Sequence, residues 1–188
     1  MKKITLTLVI LISFQWLPAQ EFVRTNDYQI VEKNKVKESE YTPHVFQLVT
    51  TTPDDRAIAT YEVTFNDTFE EIEISVLDNP ELEGVNRVIK VDLIYAACCT
   101  SEETYYYLAK DNGDFIGLPK VENVYCGSEA TLQSYIFPNQ TFGIEGAVLK
   151  KKVAYTSAKE IKKIETIQQI VWNDNDFSFP RDIVYTKY

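Results

Sequence analysis

Hydrophobic and polar residues alternate with a period of two along much of this chain, as they do in strands that bury one face and wet the other. Ile58, Thr60, Glu62 and Thr64 oppose Ala59, Tyr61, Val63 and Phe65; beyond Asn66-Asp67, Ile72, Ile74 and Val76 alternate with Glu71, Glu73 and Ser75. Two antiparallel strands joined by a short turn are predicted there. Upstream, Tyr28, Ile30 and Val31 among lysines and glutamates predict an edge strand followed by a solvated loop. Val45, Phe46, Leu48 and Val49 predict a strand over His44 to Thr52, stopped by the turn residues Pro53-Asp54-Asp55. After a break from Asn79-Pro80 to Gly84, Val88 to Ala97 is the most apolar strand candidate and belongs near a sheet centre.

The sharpest local signal is a hairpin. Thr104 to Lys110 is rich in tyrosine, Asp111-Asn112-Gly113-Asp114 supplies residues that tolerate positive φ in a type I′ turn, and Phe115 to Leu118 resumes an apolar strand. Val121 to Cys126 and Thr131 to Phe137 extend this as a meander. Ala147 to Thr156 sets Leu149, Val153 and Tyr155 against lysines, which predicts an edge strand, because lysine discourages pairing with a second molecule. Ser157-Ala158-Lys159-Glu160 matches a capping box, and Ile161, Ile164, Ile167 and Val171 recur at spacings of three and four, so a helix is predicted over about 158–171. The isoleucines also suit a strand from Thr166 to Trp172. Asp182 to Tyr188 is a candidate last strand. The fold class that follows is mainly β (α+β), an antiparallel β meander, sandwich or half-barrel with one helix near the C-terminus.

The first residues are of another kind. Lys2 and Lys3 precede an apolar run from Ile4 to about Phe14, and Ala19 offers a small residue to a peptidase. A run of about eleven residues is half of what a membrane-crossing helix needs. Residues 1–19 are therefore expected to be a signal peptide, and 20–188 a single β-rich exported domain. This leader, lysine-led and ending in Ala19 and Gln20, is similar to export signals of Gram-negative bacteria, which implies a periplasmic or secreted protein. Removing Lys2 and Lys3 takes the net charge from −9 to −11. Such an acidic chain repels phosphate backbones, so nucleic acid is not an expected partner. With 45% hydrophobic and 13% aromatic residues it is also no disordered acidic tail. No transmembrane segment is expected in the mature chain, and the expected ligand is a protein or a carbohydrate.

Three cysteines enter that oxidising setting, where a pair within reach closes. Adjacent strand residues point to opposite faces, so Cys98 and Cys99 cannot both face Cys126. Ile89, Val91, Leu93, Tyr95 and Ala97 share the phase of Cys99, the more apolar one, which favours a Cys99–Cys126 disulfide and leaves Cys98 as a free thiol. Catalytic signals are missing. The single histidine, His44, supports neither a hydrolase triad nor a multi-histidine zinc site, and Gly127-Ser128 lacks the glycine that would complete a nucleophile elbow. Glu70, Glu71, Glu73, Glu102 and Glu103 read as solvated faces or turns. Asn173 to Asp176 fails as a calcium loop, since Phe179 and Tyr185 stand where glycine and a bidentate glutamate are needed. No catalytic residue, metal ligand or cofactor is expected.

Tyr105, Tyr106 and Tyr107 form the most unusual local composition. On a strand, Tyr105 and Tyr107 project to one side and Tyr106 to the other, which makes them candidate ligand-binding residues able to stack on a sugar ring or a partner protein. The plain alternative is that they form cross-strand aromatic pairs. The expected function is an exported, non-enzymatic binding or interaction module. A small carboxylate-dependent hydrolase acting on polysaccharide or cell-wall material, and a structural envelope protein linked through Cys98, are the alternatives.

Overall fold

The period-two segments do become strands, and their pairing sorts them into three antiparallel sheets. A computed structural model describes residues 19–33, 43–51, 55–63, 68–126, 130–156, 161–173 and 176–178. Its strands are β1 (Val23–Arg24), β2 (Tyr28–Glu32), β3 (His44–Thr50), β4 (Ala57–Val63), β5 (Phe69–Asp78), β6 (Val85–Ala96), β7 (Thr100–Lys110), β8 (Phe115–Gly117), β9 (Val121–Tyr125), β10 (Ala130–Ile136), β11 (Ala147–Tyr155), β12 (Ile161–Asn173) and β13 (Asp176–Ser178). The middle sheet runs β1-β5-β6-β7-β8, with β9 also paired to β7; the others run β2-β3-β4 and β10-β11-β12-β13. Among the described residues no helix is long and apolar enough to cross a membrane.

The middle sheet is covered on both faces, and β6 lies at its centre. On one face Ile89, Val91 and Leu93 pack with Leu48, Tyr61 and Val63 of the β2-β3-β4 sheet. On the other, Val88, Tyr106 and Leu108 meet Tyr135, Phe137, Val148, Ile170 and Trp172. A strand buried on both sides is apolar in both phases, which is why Val88 to Ala97 stands out in the sequence.

Several expectations are corrected. The stretch predicted as a helix over about 158–171 is the strand β12 from Ile161 on; residues 157–160, with the capping box, lie outside the described residues. The register against β11 shifts between Lys150 and Lys151 and again between Ala154 and Tyr155, so that Ile167 and Lys162 are extra residues in β12. Each bulge lengthens a same-face spacing from two to three, and that produced the helix-like recurrence of Ile161 and Ile164. Strands β4 and β5 do not form the predicted hairpin: β4 pairs with β3, while β5 pairs with β1 and β6 in the next sheet. The meander likewise stops after β8: β9 returns to pair with β7, and β10 joins the third sheet. Strand β11, predicted at an edge, is flanked on both sides by β10 and β12. The candidate strand from Asp182 to Tyr188 lies outside the described residues.

The predicted hairpin of β7 and β8 is present, with Ala109 opposite Phe115, but its turn is of another type. Gly113 has φ +86°, whereas Asn112 does not adopt positive φ as a type I′ turn requires. The amide of Gly113 donates to Lys110 O at 2.9 Å and that of Lys110 to Asp114 O at 2.8 Å. That pattern is a type I turn closed by a left-handed glycine, the usual three-residue hairpin loop.

Candidate functional site

Along β6, β7 and β9, the face turned toward the third sheet changes from apolar to polar. Val88 pairs with Leu108 at the apolar end; Asp92 pairs with Thr104, and Glu102 with Asn123, further along. Lys90 Nζ donates to Asp92 Oδ2 at 2.6 Å. Thr104 Oγ1 is 2.7 Å from Asp92 Oδ1 and 3.2 Å from Glu102 Oε1, and the Tyr125 hydroxyl donates to Glu102 Oε2. Asn123 accepts from the Gln133 amide at 2.7 Å and donates to its carbonyl at 3.0 Å, joining β9 to β10 as a paired strand would. Glu102, expected on a solvated face, is thus part of an enclosed network, a correction that the alternation of β7 could not reveal without the sheet above it.

Burial pushes the Asp92 carboxyl up to about 6, aided by its hydrogen bond to Glu102 and opposed by Lys90 and Thr104. Burial also acts to raise Glu102, but bonds from Asp92 and Tyr125, with Lys90 and Thr104, outweigh it and hold Glu102 below its ordinary value. Below about pH 6, Asp92 therefore holds a proton that Glu102 gives up at lower pH. An acid whose native pKa lies above its unfolded value makes the native state bind more protons, so stability falls as pH rises through that interval. For Asp92 the interval runs from about 4 to about 6, and for Glu102 the opposite trend is confined to more acidic pH. Urea unfolding of the wild type and Asp92→Asn should therefore converge toward pH 4 and diverge up to pH 6, with the wild type losing up to about 3 kcal/mol relative to the variant. A difference that stays flat across this window would refute the assignment.

The tyrosines occupy both faces of β7. Tyr106, 2% exposed, meets Tyr135 edge-on at 5.2 Å in the core toward the third sheet. Tyr105 and Tyr107 are half-buried toward the β2-β3-β4 sheet. The Tyr105 ring lies 5.0 Å from that of Tyr61, its hydroxyl donates to Glu103 Oε2 at 3.0 Å, and Tyr61 donates to the Tyr107 hydroxyl at 3.1 Å. Both faces thus meet another sheet, and the contacts are the aromatic pairs of a packed core.

Cys99 and Cys126 form a disulfide with Cα atoms 4.7 Å apart, one step beyond the Thr100–Tyr125 pair of β7 and β9. Cys98 is an exposed free cysteine, its sulfur 4.0 Å from Cys99 Sγ. His44 Nδ1 lies 2.6 Å from Glu32 Oε1 on the neighbouring strand. Among the described residues, no three His, Cys, Asp or Glu side chains gather as metal ligands.

A pocket of about 380 Å³ opens elsewhere, on the outer face of the third sheet. Its floor comes from Leu149 and Lys151 on β11 and Ile164, Thr166 and Gln169 on β12; Phe142 and Ile144, from the loop between β10 and β11, form the wall. The bulge at Ile167 is what puts Thr166 opposite Lys151 while Gln169 faces Leu149. The loop is tightly built: Gln140 N donates to Phe137 O, Gly143 N to Gln140 O, and a Cβ at Gly143 would come within 2.2 Å of Phe137 O. Lys151, only 7% exposed, closes it by donating from Nζ to Phe142 O at 2.8 Å. Sequence reasoning missed Lys151, although a signal was there, since it shares the phase of Leu149, Val153 and Tyr155 on β11.

No protein-family model matches this chain, and no curated protein or solved structure is significantly similar to it.

Proposed function

We propose that this chain is an exported, non-enzymatic β-rich binding module that takes a small, largely apolar ligand into the pocket beneath the Phe142 loop. The pocket is the observation that carries this reading. Its volume falls within the range of small-molecule sites, and its lining joins apolar side chains to a few polar groups, as such sites do. Phe142 and Ile144, 57% and 49% exposed, hold apolar surface at its edge. Phe142 does so at φ +66°, a conformation that costs a bulky residue roughly 1–2 kcal/mol. Export to the periplasm or the cell exterior is supported by the leader-like first residues and is compatible with the Cys99–Cys126 disulfide.

Ile164→Trp would fill the floor from a half-buried position. A neutral naphthylamine fluorophore should bind the wild type, and this substitution should weaken that binding at least roughly tenfold while leaving the unfolding free energy within about 0.5 kcal/mol. Wild-type protein that fails to bind the fluorophore, or a variant that binds it equally, would refute the pocket as the site.

The hydrolase reading has one observation in its favour, the opposite pKa shifts of the neighbouring Asp92 and Glu102, as in acid–base carboxylate pairs. It is the weaker reading because all four carboxylate oxygens are engaged by Lys90, Thr104 and Tyr125, and Asp92 is 5% exposed. A substrate would have to displace those bonds before meeting either acid.

A further inference from the structure

We infer that the ligand of this pocket is a small amphipathic anion, an alkyl or aryl monocarboxylate whose acid group meets Lys151 and whose apolar body rests on Leu149, Ile164 and Ile144. The inference builds on the pocket reading above and adds the chemistry of its occupant.

Among the described residues, Lys151 is a buried cation without a counter-ion. Its Nζ makes one hydrogen bond among the described residues, to Phe142 O, and lies 5.1 Å from the centre of the Phe142 ring. An ammonium has three donors, so two are left for a ligand. Among the described residues, Lys90 is ion-paired with Asp92, Lys120 with Glu103 and Glu122, and Lys163 with Glu165, and all three are more exposed than Lys151. Burying an ammonium is costly unless it is paired, and burial accordingly pushes the Lys151 amine below its ordinary pKa. A carbonyl and an aromatic face offset part of that cost; a carboxylate would offset much more, through a charge-assisted bond in a site of low polarity.

The same geometry selects among ligands. A neutral alcohol accepts one bond but leaves the charge uncompensated, and an amine is repelled. A phosphate dianion calls for more donors than one ammonium provides. Ile144 of the wall and Leu149 and Ile164 of the floor give an apolar tail the remainder of the cavity.

Isothermal titration of the full chain, disulfide intact, with octanoate, octanol and octylamine separates these cases. The expected order is octanoate tighter than octanol by roughly tenfold or more, about 1.4 kcal/mol, and octylamine weakest. Lys151→Met should keep octanol binding and lose the preference for octanoate, while Lys151→Arg should retain it. Equal affinities of wild type for octanoate and octanol, or a preference that survives in Lys151→Met, would overturn the anion assignment and leave the pocket standing. Wild type that binds none of the three, and no neutral fluorophore, would remove the pocket reading and this inference together. The wild-type comparison uses no variant, so it decides the matter even if a substitution at position 151 disturbs folding.

Discussion

Removing the Cys99–Cys126 bridge should lower the unfolding free energy by roughly 3 to 4 kcal/mol. The bond spans 27 residues of sequence, so it denies the unfolded chain a loop of that size, and the chain-entropy estimate follows from loop length. It also fastens β9 to β7 beside the polar network, since Thr100 pairs with Tyr125 and Tyr125 bonds Glu102. Cys98 complicates the experiment, because its sulfur lies 4.0 Å from Cys99 Sγ and a thiolate there can exchange into the bridge. The clean comparison is Cys98→Ala against the same protein with Cys99 and Cys126 also changed to alanine, followed by urea denaturation. Cys98 is exposed, so its own replacement should shift stability by no more than about 0.5 kcal/mol. Superimposable unfolding curves would mean that the β7–β9 ladder holds without its covalent link.

Tyr106→Ala should be the most damaging single substitution in the tyrosine triplet, costing about 3 to 5 kcal/mol as large core truncations do. The ring is 2% exposed and touches Phe22, Tyr135 and Phe137 at centroid distances of 6.0, 5.2 and 6.2 Å. Truncation would open a cavity where the middle sheet meets the third. Tyr105→Ala and Tyr107→Ala remove half-buried rings and should cost less, by an unfolding series measured under the same conditions. If Tyr106→Ala were the mildest of the three, the packing described for this face would be wrong. The ordering also separates support from recognition, because a stacking platform would show its largest effects on ligand affinity and small ones on stability.

Some of this architecture was legible in local pattern. The sulfur favoured by strand phase, Cys99, is the bonded one, although Cys98 and Cys99 lie in the turn between β6 and β7, where strand parity no longer sets the face. The turn at Asp111 to Asp114 announced the β7–β8 hairpin through residues that tolerate special backbone angles, and only the turn type differed. Doubly apolar β6 declared its central place. The site was less legible. Lys151 falls in an apolar phase of β11, yet nothing local tells whether such a lysine is buried or reaches past its neighbours to water.

Residue parity and turn chemistry are local properties, and from them alone came an antiparallel β protein and its central strand. Partner choice between strands is not local. Whether β4 pairs with β5 or with β3 depends on competing pairings across the chain, and β5 was taken by β6 and β1. The bulges at Lys162 and Ile167 exist only as a mismatch between β11 and β12, so a spacing of three could be read as a helical turn until the second strand was in view. The pocket comes from that same mismatch together with a loop folded across it, and neighbours distant in sequence turned an ordinary lysine into a buried charge.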